Sequence, residues 1–235
     1  MILNNKTAIV TGASDGIGKQ IALKLAAQGV NLALVARNVE RLNEVKNECV
    51  TLGVPRVECY SCDLSIKDQI KETSAKIISD FQNIDILINN AGIWQKVGPL
   101  TDATLEDIEK VISINLTGLV MLTHQLMPNL KKQTEALLLN ISSHSGIEGK
   151  QGQSVYCASK WGITGFTESL RLDLKGSNVR VAGLYQGATK TGLFEKANDT
   201  RDLTKATNPE DLADVVVFML SRPPQIWLHD VRVEY

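Results

Sequence analysis

Residues 7–26 read TAIVTGASDGIGKQIALKLA, a short apolar run followed by a glycine-rich turn and an amphipathic segment. The first five residues are typical of a strand buried on both faces, because apolar and β-branched side chains follow one another without alternation. Apolar residues then recur at helical spacing from Ile17 onward. A strand, a tight turn and a helix in this order predict the opening unit of a doubly wound α/β fold.

The rest of the chain repeats this alternation. Six further apolar runs of strand type follow, at 31–36, 56–61, 84–89, 135–142, 179–185 and 226–235. Helical patterns lie between them, at roughly 17–28, 39–52, 66–81, 104–130, 154–175 and 209–221. We predict one Rossmann-type domain over 1–235, with a parallel sheet of about seven strands and helices on both faces. Ligands should bind beyond the carboxyl ends of the strands, between a nucleotide half (about 1–92) and a catalytic half (about 93–235).

Composition narrows the class of protein. The 235 residues are 43% hydrophobic and 22% charged, which is typical of a globular domain with a sizeable core. The 25 Lys and Arg against 26 Asp and Glu give a formal net charge of −1, so there is no basic field to attract nucleic acid. The chain opens without a signal-peptide pattern, and no apolar stretch approaches the ~20 residues of a membrane span. We therefore expect a cytoplasmic protein that binds neither nucleic acid nor membranes.

The four cysteines, at 49, 59, 62 and 157, are too scattered to predict a disulfide framework. Cys59 and Cys62 form a C-x-x-C pair, which leaves a redox or metal role open. Side chains three residues apart on a strand point to opposite faces, however, so the structural interpretation is favoured. Because the three histidines lack partners at ligand spacing, we expect no metal site.

The turn after the first strand holds Gly12, Gly16 and Gly18 in the spacing G-x-x-x-G-x-G. Such a turn lets the backbone approach a pyrophosphate, while the helix that starts at Ile17 offers unpaired N–H groups and a partial positive charge. Ser14 adds a hydroxyl donor. A merely flexible connection could carry the same glycines, but the order of strand, turn and helix favours phosphate binding.

A second constellation lies in the other half of the chain. Tyr156 and Lys160 are four residues apart near the start of a predicted helix, so they share one helix face. A free tyrosine has a pKa of ~10, and a neighbouring cation stabilises its phenolate, so the pair is suited to proton transfer. Ser143 follows the fifth strand, 13 residues before Tyr156. The neighbouring Ser142 is the other candidate for the catalytic serine. Alternatively, its hydroxyl forms hydrogen bonds with backbone groups at the end of the strand.

Together these motifs resemble the short-chain dehydrogenase/reductase family, over residues 6 to about 221. The resemblance implies hydride transfer between a nicotinamide cofactor and a carbonyl or secondary alcohol carbon, without a metal. It implies that Tyr156 donates the proton to the carbonyl oxygen and that Ser143 hydrogen-bonds to that oxygen. Lys160 would bind the nicotinamide ribose and lower the pKa of Tyr156.

Further positions match the same family. Asp63 follows the third strand. At this position the family binds adenine through an aspartate side chain and the backbone of the next residue, which is Leu64 here. The alternative for an isolated aspartate at the end of a strand is a helix cap. The run Asn89-Asn90-Ala91-Gly92 matches a motif that supports the sheet beside the cofactor. Asn115 matches the active-site asparagine, which is expected to hold a water that links Lys160 to solvent.

The end of the second strand bears on the choice of cofactor. A carboxylate there would bind a ribose 2′-hydroxyl, but the sequence has Ala36 followed by Arg37. A guanidinium suits a 2′-phosphate, so the residues favour NADP(H). The alternative is that Arg37 is a solvated residue at the start of the next helix.

The segment after the sixth strand departs from the family pattern. Gly187 and Thr191 match, and Thr191 is expected to contact the nicotinamide carboxamide. Gln186 stands where the family usually has proline, so the turn is less restricted in φ and gains a polar side chain. The resemblance and the Arg37 argument thus assign cofactor binding to Gly12, Ser14, Gly16, Ile17, Gly18, Arg37, Asp63, Leu64, Asn90, Ala91, Gly92, Tyr156, Lys160, Gly187 and Thr191.

The sequence therefore predicts a ketone or 3-oxoacyl reductase that uses NADPH and forms a homodimer or homotetramer. Two alternatives stay open, a non-catalytic NADP(H)-sensing regulator of the same fold and an NAD-linked alcohol or sugar dehydrogenase. Trp94 and Phe194 are expected near the substrate, or as packing within a lid. The 17 residues between Thr191 and Pro209 are short and polar for a lid, so we expect an open pocket.

Overall fold

The structure, a computed structural model, describes residues 1–234, so the Tyr235 end of the last predicted strand lies outside it. The strands are β1 Thr7–Thr11, β2 Asn31–Ala36, β3 Val57–Ser61, β4 Ile86–Asn89, β5 Ala136–Ile141, β6 Val179–Gln186 and β7 Asp230–Val233. The helices are α1 Gly16–Ala26, α2 Val39–Thr51, α3 Lys67–Phe81, α4 Leu105–Ile112, α5 Gly118–Leu130, α6 Ser154–Asp173 and α7 Pro209–Ser221.

All seven strands form one parallel sheet in the order β3-β2-β1-β4-β5-β6-β7, which confirms the predicted doubly wound fold. The chain direction across the sheet reverses between β1 and β4, so a crevice opens there at the carboxyl ends of the strands. The predicted start of the last strand at 226 is wrong. Ile226 instead donates its N–H to Pro223 in a turn, and the ladder with β6 begins at Asp230.

Helices cover both faces of the sheet. Val10 belongs to a core cluster with residues of α1, α2 and α7, whereas its neighbour Ile9 belongs to a second cluster with α3 and α5. A fully buried side chain of this size contributes about 1.5–3 kcal/mol relative to its exposed state. Cys59 packs against the first cluster and Cys62 lies in the second, so the two thiols point to opposite faces as predicted.

A π-helical turn at Ser113–Thr117 joins α4 to α5 inside the predicted helix 104–130. By length and composition, the continuous segment Leu105–Leu130 passes as a membrane span, with a mean hydropathy of 1.2 over 18 residues. The expectation that no stretch approaches this limit was therefore wrong. In this fold 44% of that window is buried, and the segment packs against α3 and α6, as the core helix of a globular domain does.

Replacing Gly118 with alanine should destabilise the protein by ~1–3 kcal/mol, because a Cβ there would lie 2.1 Å from the backbone oxygen of Leu64. The matched control is Gly165→Ala in α6, where a Cβ meets nothing within 4 Å and should stabilise the helix by ~0.5–1 kcal/mol. Urea unfolding of both variants checks the pair. Equal stabilisation by the two substitutions would contradict the packing of α5 on Leu64.

Candidate active site

A cavity of about 870 Å³ opens in the crevice between β1 and β4 and extends to the carboxyl ends of β2, β5 and β6. Most of the residues assigned to cofactor binding line it: Gly12, Ser14, Gly16, Ile17, Arg37, Asp63, Leu64, Asn90, Ala91, Gly92, Tyr156, Lys160 and Thr191. Four assigned residues lie outside its lining, namely Gly18, Asn115, Ser143 and Gly187. The structure thus brings the two halves of the predicted site to one cavity.

The glycine turn is shaped by close backbone contacts. Gly12 has φ +66°, and a Cβ on it would lie 2.9 Å from the Cα of Ala91. A Cβ on Gly18 would lie 2.2 Å from the carbonyl oxygen of Gly12, so Gly18 lets α1 approach the turn rather than lining the cavity. The bare backbone between them faces the cavity at the N-terminus of α1. This cradle fits the pyrophosphate of a dinucleotide.

Side chains at the end of β4 fix this turn. The Asn90 amide donates to the carbonyl oxygen of Thr11 at 2.9 Å, and the Thr11 hydroxyl accepts the N–H groups of Asn90 and Ala91 at 3.0 Å. Asn89 points into the sheet layer instead and donates to Thr123 and Asn140. The predicted supporting role of this motif therefore has a direct structural basis.

The end of β2 carries two cations. Arg37 lies 3.8 Å from the Asp63 carboxylate, and Arg41 lies 3.4 Å from the Asp15 carboxylate, which also pairs with Lys196 at 2.8 Å. Arg41 also lines the cavity, and sequence reasoning missed it. Its signal in the sequence was a second arginine four residues after Arg37, in the first turn of α2.

Asp63 does not cap α3, whose N-cap residue is Ile66, and its adenine-binding role stays a prediction. Its carboxylate accepts the N–H and hydroxyl of Ser65 at 2.9 and 2.7 Å, which is a local turn, and it also lines the cavity. Burial opposes its ionisation, but the hydrogen bonds from Ser65 and the charge of Arg37 hold its pKa below the ordinary value. Asp63 therefore presents a carboxylate to the cavity at neutral pH.

Tyr156 and Lys160 line the cavity, and Ser143 lies beside Tyr156, outside the lining. The Ser143 side chain is close enough to Tyr156 to lower the pKa of its phenol, and the Lys160 ammonium lies 5.7 Å from the centre of the Tyr156 ring. Lys160 donates to the carbonyl oxygen of Ile141 at 3.3 Å. The Ser142 hydroxyl donates to the backbone oxygen of Lys160 at 3.2 Å, so Ser142 satisfies backbone and Ser143 is the serine beside the tyrosine.

Burial dominates the electrostatics of this group. Tyr156 and Lys160 are each 5% exposed. Loss of solvent lowers the pKa of Lys160 from 10.5 to about 8. It raises the pKa of Tyr156 above its ordinary value, although the hydrogen bond with Ser143 opposes the shift. Desolvation of the phenol thus outweighs the effects that lower the pKa of Tyr156, and the expected lowering by Lys160 stays a prediction.

Asn115 is fully buried in the π-helical turn between α4 and α5. Its side chain accepts the N–H of Ile93 at 2.8 Å and donates to the carbonyl oxygen of Ile93 at 3.0 Å and to Ser159 at 3.2 Å. The side chain thus joins the loop after β4 to α6, close to Lys160. Its expected water-holding role stays a prediction.

An aromatic cover closes over Tyr156. The Trp94 ring meets the rings of Tyr156 and Phe194 edge-on, with centroids 4.4 and 5.0 Å apart. The Arg201 guanidinium lies 4.5 and 4.3 Å from the Trp94 and Phe194 centroids. Asp199 accepts the Trp94 indole N–H at 2.8 Å and pairs with Arg201. These contacts fold the segment after Thr191 over the tyrosine, and the expected open pocket stays a prediction.

Comparison with known proteins provides evidence that is independent of the site geometry. A family model for short chain dehydrogenases matches residues 6–202. A 3-oxoacyl-(acyl-carrier-protein) reductase of Thermotoga maritima is 34% identical over 230 residues, which cover 94% of this chain and 92% of that protein.

Two solved structures are similar over nearly their whole length. A metagenomic short-chain oxidoreductase in complex with NADP is 31% identical with a TM-score of 0.87, and the match covers 100% of both chains. A 3-ketoacyl-(acyl-carrier-protein) reductase from Brucella melitensis complexed with NADH is 26% identical with a TM-score of 0.87, covering 98% of this chain and 97% of that one.

Replacing Lys160 with methionine should stabilise the fold at neutral pH, because it removes an ammonium desolvated by burial. Between pH 8 and 10.5 the unfolded chain binds more protons than the folded one, so the wild type gains stability as the pH rises through this window. The advantage of the variant should be ~1–3 kcal/mol at pH 7 and shrink toward pH 10.5 in urea unfolding.

The matched control is Lys24→Met, which removes an exposed lysine paired with Asp214. It should give no such pH-dependent gain. A stabilisation by Lys160→Met that stays constant from pH 7 to 10.5 would contradict the depressed pKa of Lys160.

Proposed function

Because the chain belongs to the short-chain dehydrogenase family, we propose that it is an NADPH-dependent reductase of a ketone or 3-oxoacyl compound. The observation that carries the proposal is that Tyr156, with Ser143 beside it, and Lys160 line the same cavity as the glycine cradle. Family membership makes the protein an oxidoreductase acting on CH–OH or C=O groups; the cofactor preference and the substrate class are our proposal.

The three side chains divide the proton chemistry among them. When bound, the nicotinamide cofactor supplies the hydride. The raised pKa keeps the Tyr156 hydroxyl protonated near neutrality, the state in which it can donate to a carbonyl oxygen. Ser143, which lies beside Tyr156, donates to the same oxygen. Lys160 binds the nicotinamide ribose, and its pKa of about 8 leaves it charged at neutral pH.

The preference for NADP(H) rests on charge at the end of β2. The side chains of Arg37 and Arg41 are more than half exposed at the cavity edge, where they can reach a 2′-phosphate. Ala36 stands where a carboxylate would bind the ribose hydroxyl, and it carries no charge. Ser14 in the glycine turn adds a hydroxyl on the same side of the cavity. These groups favour a phosphate over a free hydroxyl.

We also propose a cytoplasmic homodimer or homotetramer. Trp161 and Leu172 on α6 and Leu105 at the start of α4 are large apolar residues that are 49%, 72% and 80% exposed. The helices α4, α5 and α6 are those expected from the sequence to form subunit contacts. A second copy of the chain that packs on these helices would cover their exposed apolar side chains.

Replacing Arg37 with alanine should weaken NADPH binding by ~1–3 kcal/mol, the scale of a lost charge-assisted hydrogen bond, and should hardly change NADH binding. Ala36→Asp should shift the preference toward NADH. Equilibrium titration with both cofactors measures these effects. Arg56→Ala is the matched control, because Arg56 pairs with Glu58 outside the cavity. Equal losses for the two cofactors in Arg37→Ala would contradict the phosphate-binding role.

Replacing Tyr156 with phenylalanine should lower turnover at least ~10²-fold while NADPH affinity is kept. The ring that packs against Trp94 remains, and only the proton donor is lost. NADPH absorbance with a panel of carbonyl compounds measures turnover. Tyr60→Phe is the control, since Tyr60 bonds to Asp80 away from the cavity. If Tyr156→Phe kept near wild-type turnover, another proton donor would replace this assignment, whereas a wild type that turned over no carbonyl compound would favour the non-catalytic alternative.

A further inference from the structure

Residues 143–146, which we call the serine turn, follow β5 and form a short 3₁₀ turn over His144–Gly146. The Ser143 hydroxyl oxygen accepts the N–H of Ser145 at 3.2 Å. A hydroxyl has one donor hydrogen and two acceptor lone pairs, so this bond occupies an acceptor site and leaves the hydrogen of Ser143 free to donate. Ser143 is therefore oriented to donate to a carbonyl oxygen, provided that the serine turn keeps its position.

A side-chain hydrogen bond joins the serine turn to the start of α6. The Ser145 hydroxyl donates to Gln153 Oε1 at 3.1 Å. Gln153 is the N-cap residue of α6, and its carbonyl oxygen accepts the N–H of Cys157 at 2.7 Å. Tyr156 lies three residues after Gln153, in the first turn of the same helix. Because Ser145 is only 6% exposed, loss of Gln153 would remove the partner of a buried hydroxyl.

The far end of the serine turn packs on α6 by its backbone. A Cβ on Gly146 would lie 2.8 Å from the backbone oxygen of Lys160, so glycine allows this close approach. The Thr164 hydroxyl donates to the carbonyl oxygen of Gly146 at 2.9 Å. The serine turn therefore rests on α6 at two places, one before Tyr156 in the helix and one after it.

We propose that Gln153, acting through Ser145, is a positioning residue for Ser143. The bond between Gln153 and Ser145 holds the N–H of Ser145 against Ser143 Oγ, and this directs the hydroxyl hydrogen of Ser143 toward the reacting carbonyl. Since α6 carries both Gln153 and Tyr156, the two hydroxyls that bind the carbonyl oxygen keep a fixed separation. The inference rests on the proposed function. Among residues 1–234, Ser145 and Gln153 lie outside the cavity lining, so their effect is indirect.

The test measures kcat and KM of the full-length protein with NADPH and the carbonyl compound that the wild type reduces fastest. Gln153→Leu should lower kcat ~10-fold and leave NADPH affinity unchanged, because only the direction of the Ser143 hydroxyl is disturbed. Ser145→Ala removes the same bond from its other side and should give the same loss. Gln153→Glu should restore kcat to within about 2-fold of the wild type, because a carboxylate oxygen also accepts from a hydroxyl.

A double-mutant comparison separates positioning from a general structural effect. In a Ser143→Ala background, Gln153→Leu should lower kcat no further, because the hydroxyl that it positions is gone. Gln151→Leu, which changes an exposed glutamine just before α6, is the matched control and should leave kcat unchanged. An unchanged kcat in Gln153→Leu and Ser145→Ala, or a further ~10-fold loss in the Ser143→Ala background, would overturn the inference. A wild type that reduces no carbonyl compound would instead overturn the proposed function.

Discussion

The close approach of α1 to the glycine turn is the contact on which the site depends. A Cβ on Gly18 would lie 2.2 Å from the Gly12 carbonyl oxygen, so the N-terminus of the helix can reach the turn only because neither position carries a side chain that intrudes. Asn90 and Thr11 then bond the end of β4 to the same turn. These contacts join the two central strands at the point where the sheet reverses direction, and a crevice with bare backbone donors results.

Burial of Tyr156 and Lys160 has opposite consequences for the stability of the fold and for the chemistry of the site. Lys160 loses solvent and keeps one hydrogen bond, to Ile141, among the residues that the structure describes, so its charge weakens the fold. The same burial keeps Tyr156 protonated. Active sites commonly hold groups that would be replaced if stability alone mattered. The hydrogen bonds of Asn115 with Ile93 and Ser159 connect the loop after β4 to α6 near these two residues.

The cover over Tyr156 shows how a short polar segment can close a site. Trp94 and Phe194 supply apolar surface, while Arg201 lies over both rings and Asp199 binds both Arg201 and the indole of Trp94. A guanidinium can stack on aromatic rings and still pair with a carboxylate, so charged residues pack here as apolar ones would. A segment that is short and polar can therefore still cover a tyrosine.

The amino-acid sequence by itself determined the strands, the helices, the glycine turn and the Tyr156–Lys160 pair, because each follows from local periodicity or from spacing within one element. The structure alone decided which distant residues meet. Trp94 and Asp199 are 105 residues apart in the chain, yet the folded chain joins their side chains by a hydrogen bond. The direction of the Tyr156 pKa shift also needed the structure. Desolvation is set by all the atoms that exclude water from a group, and these come from segments that only the folded chain brings together.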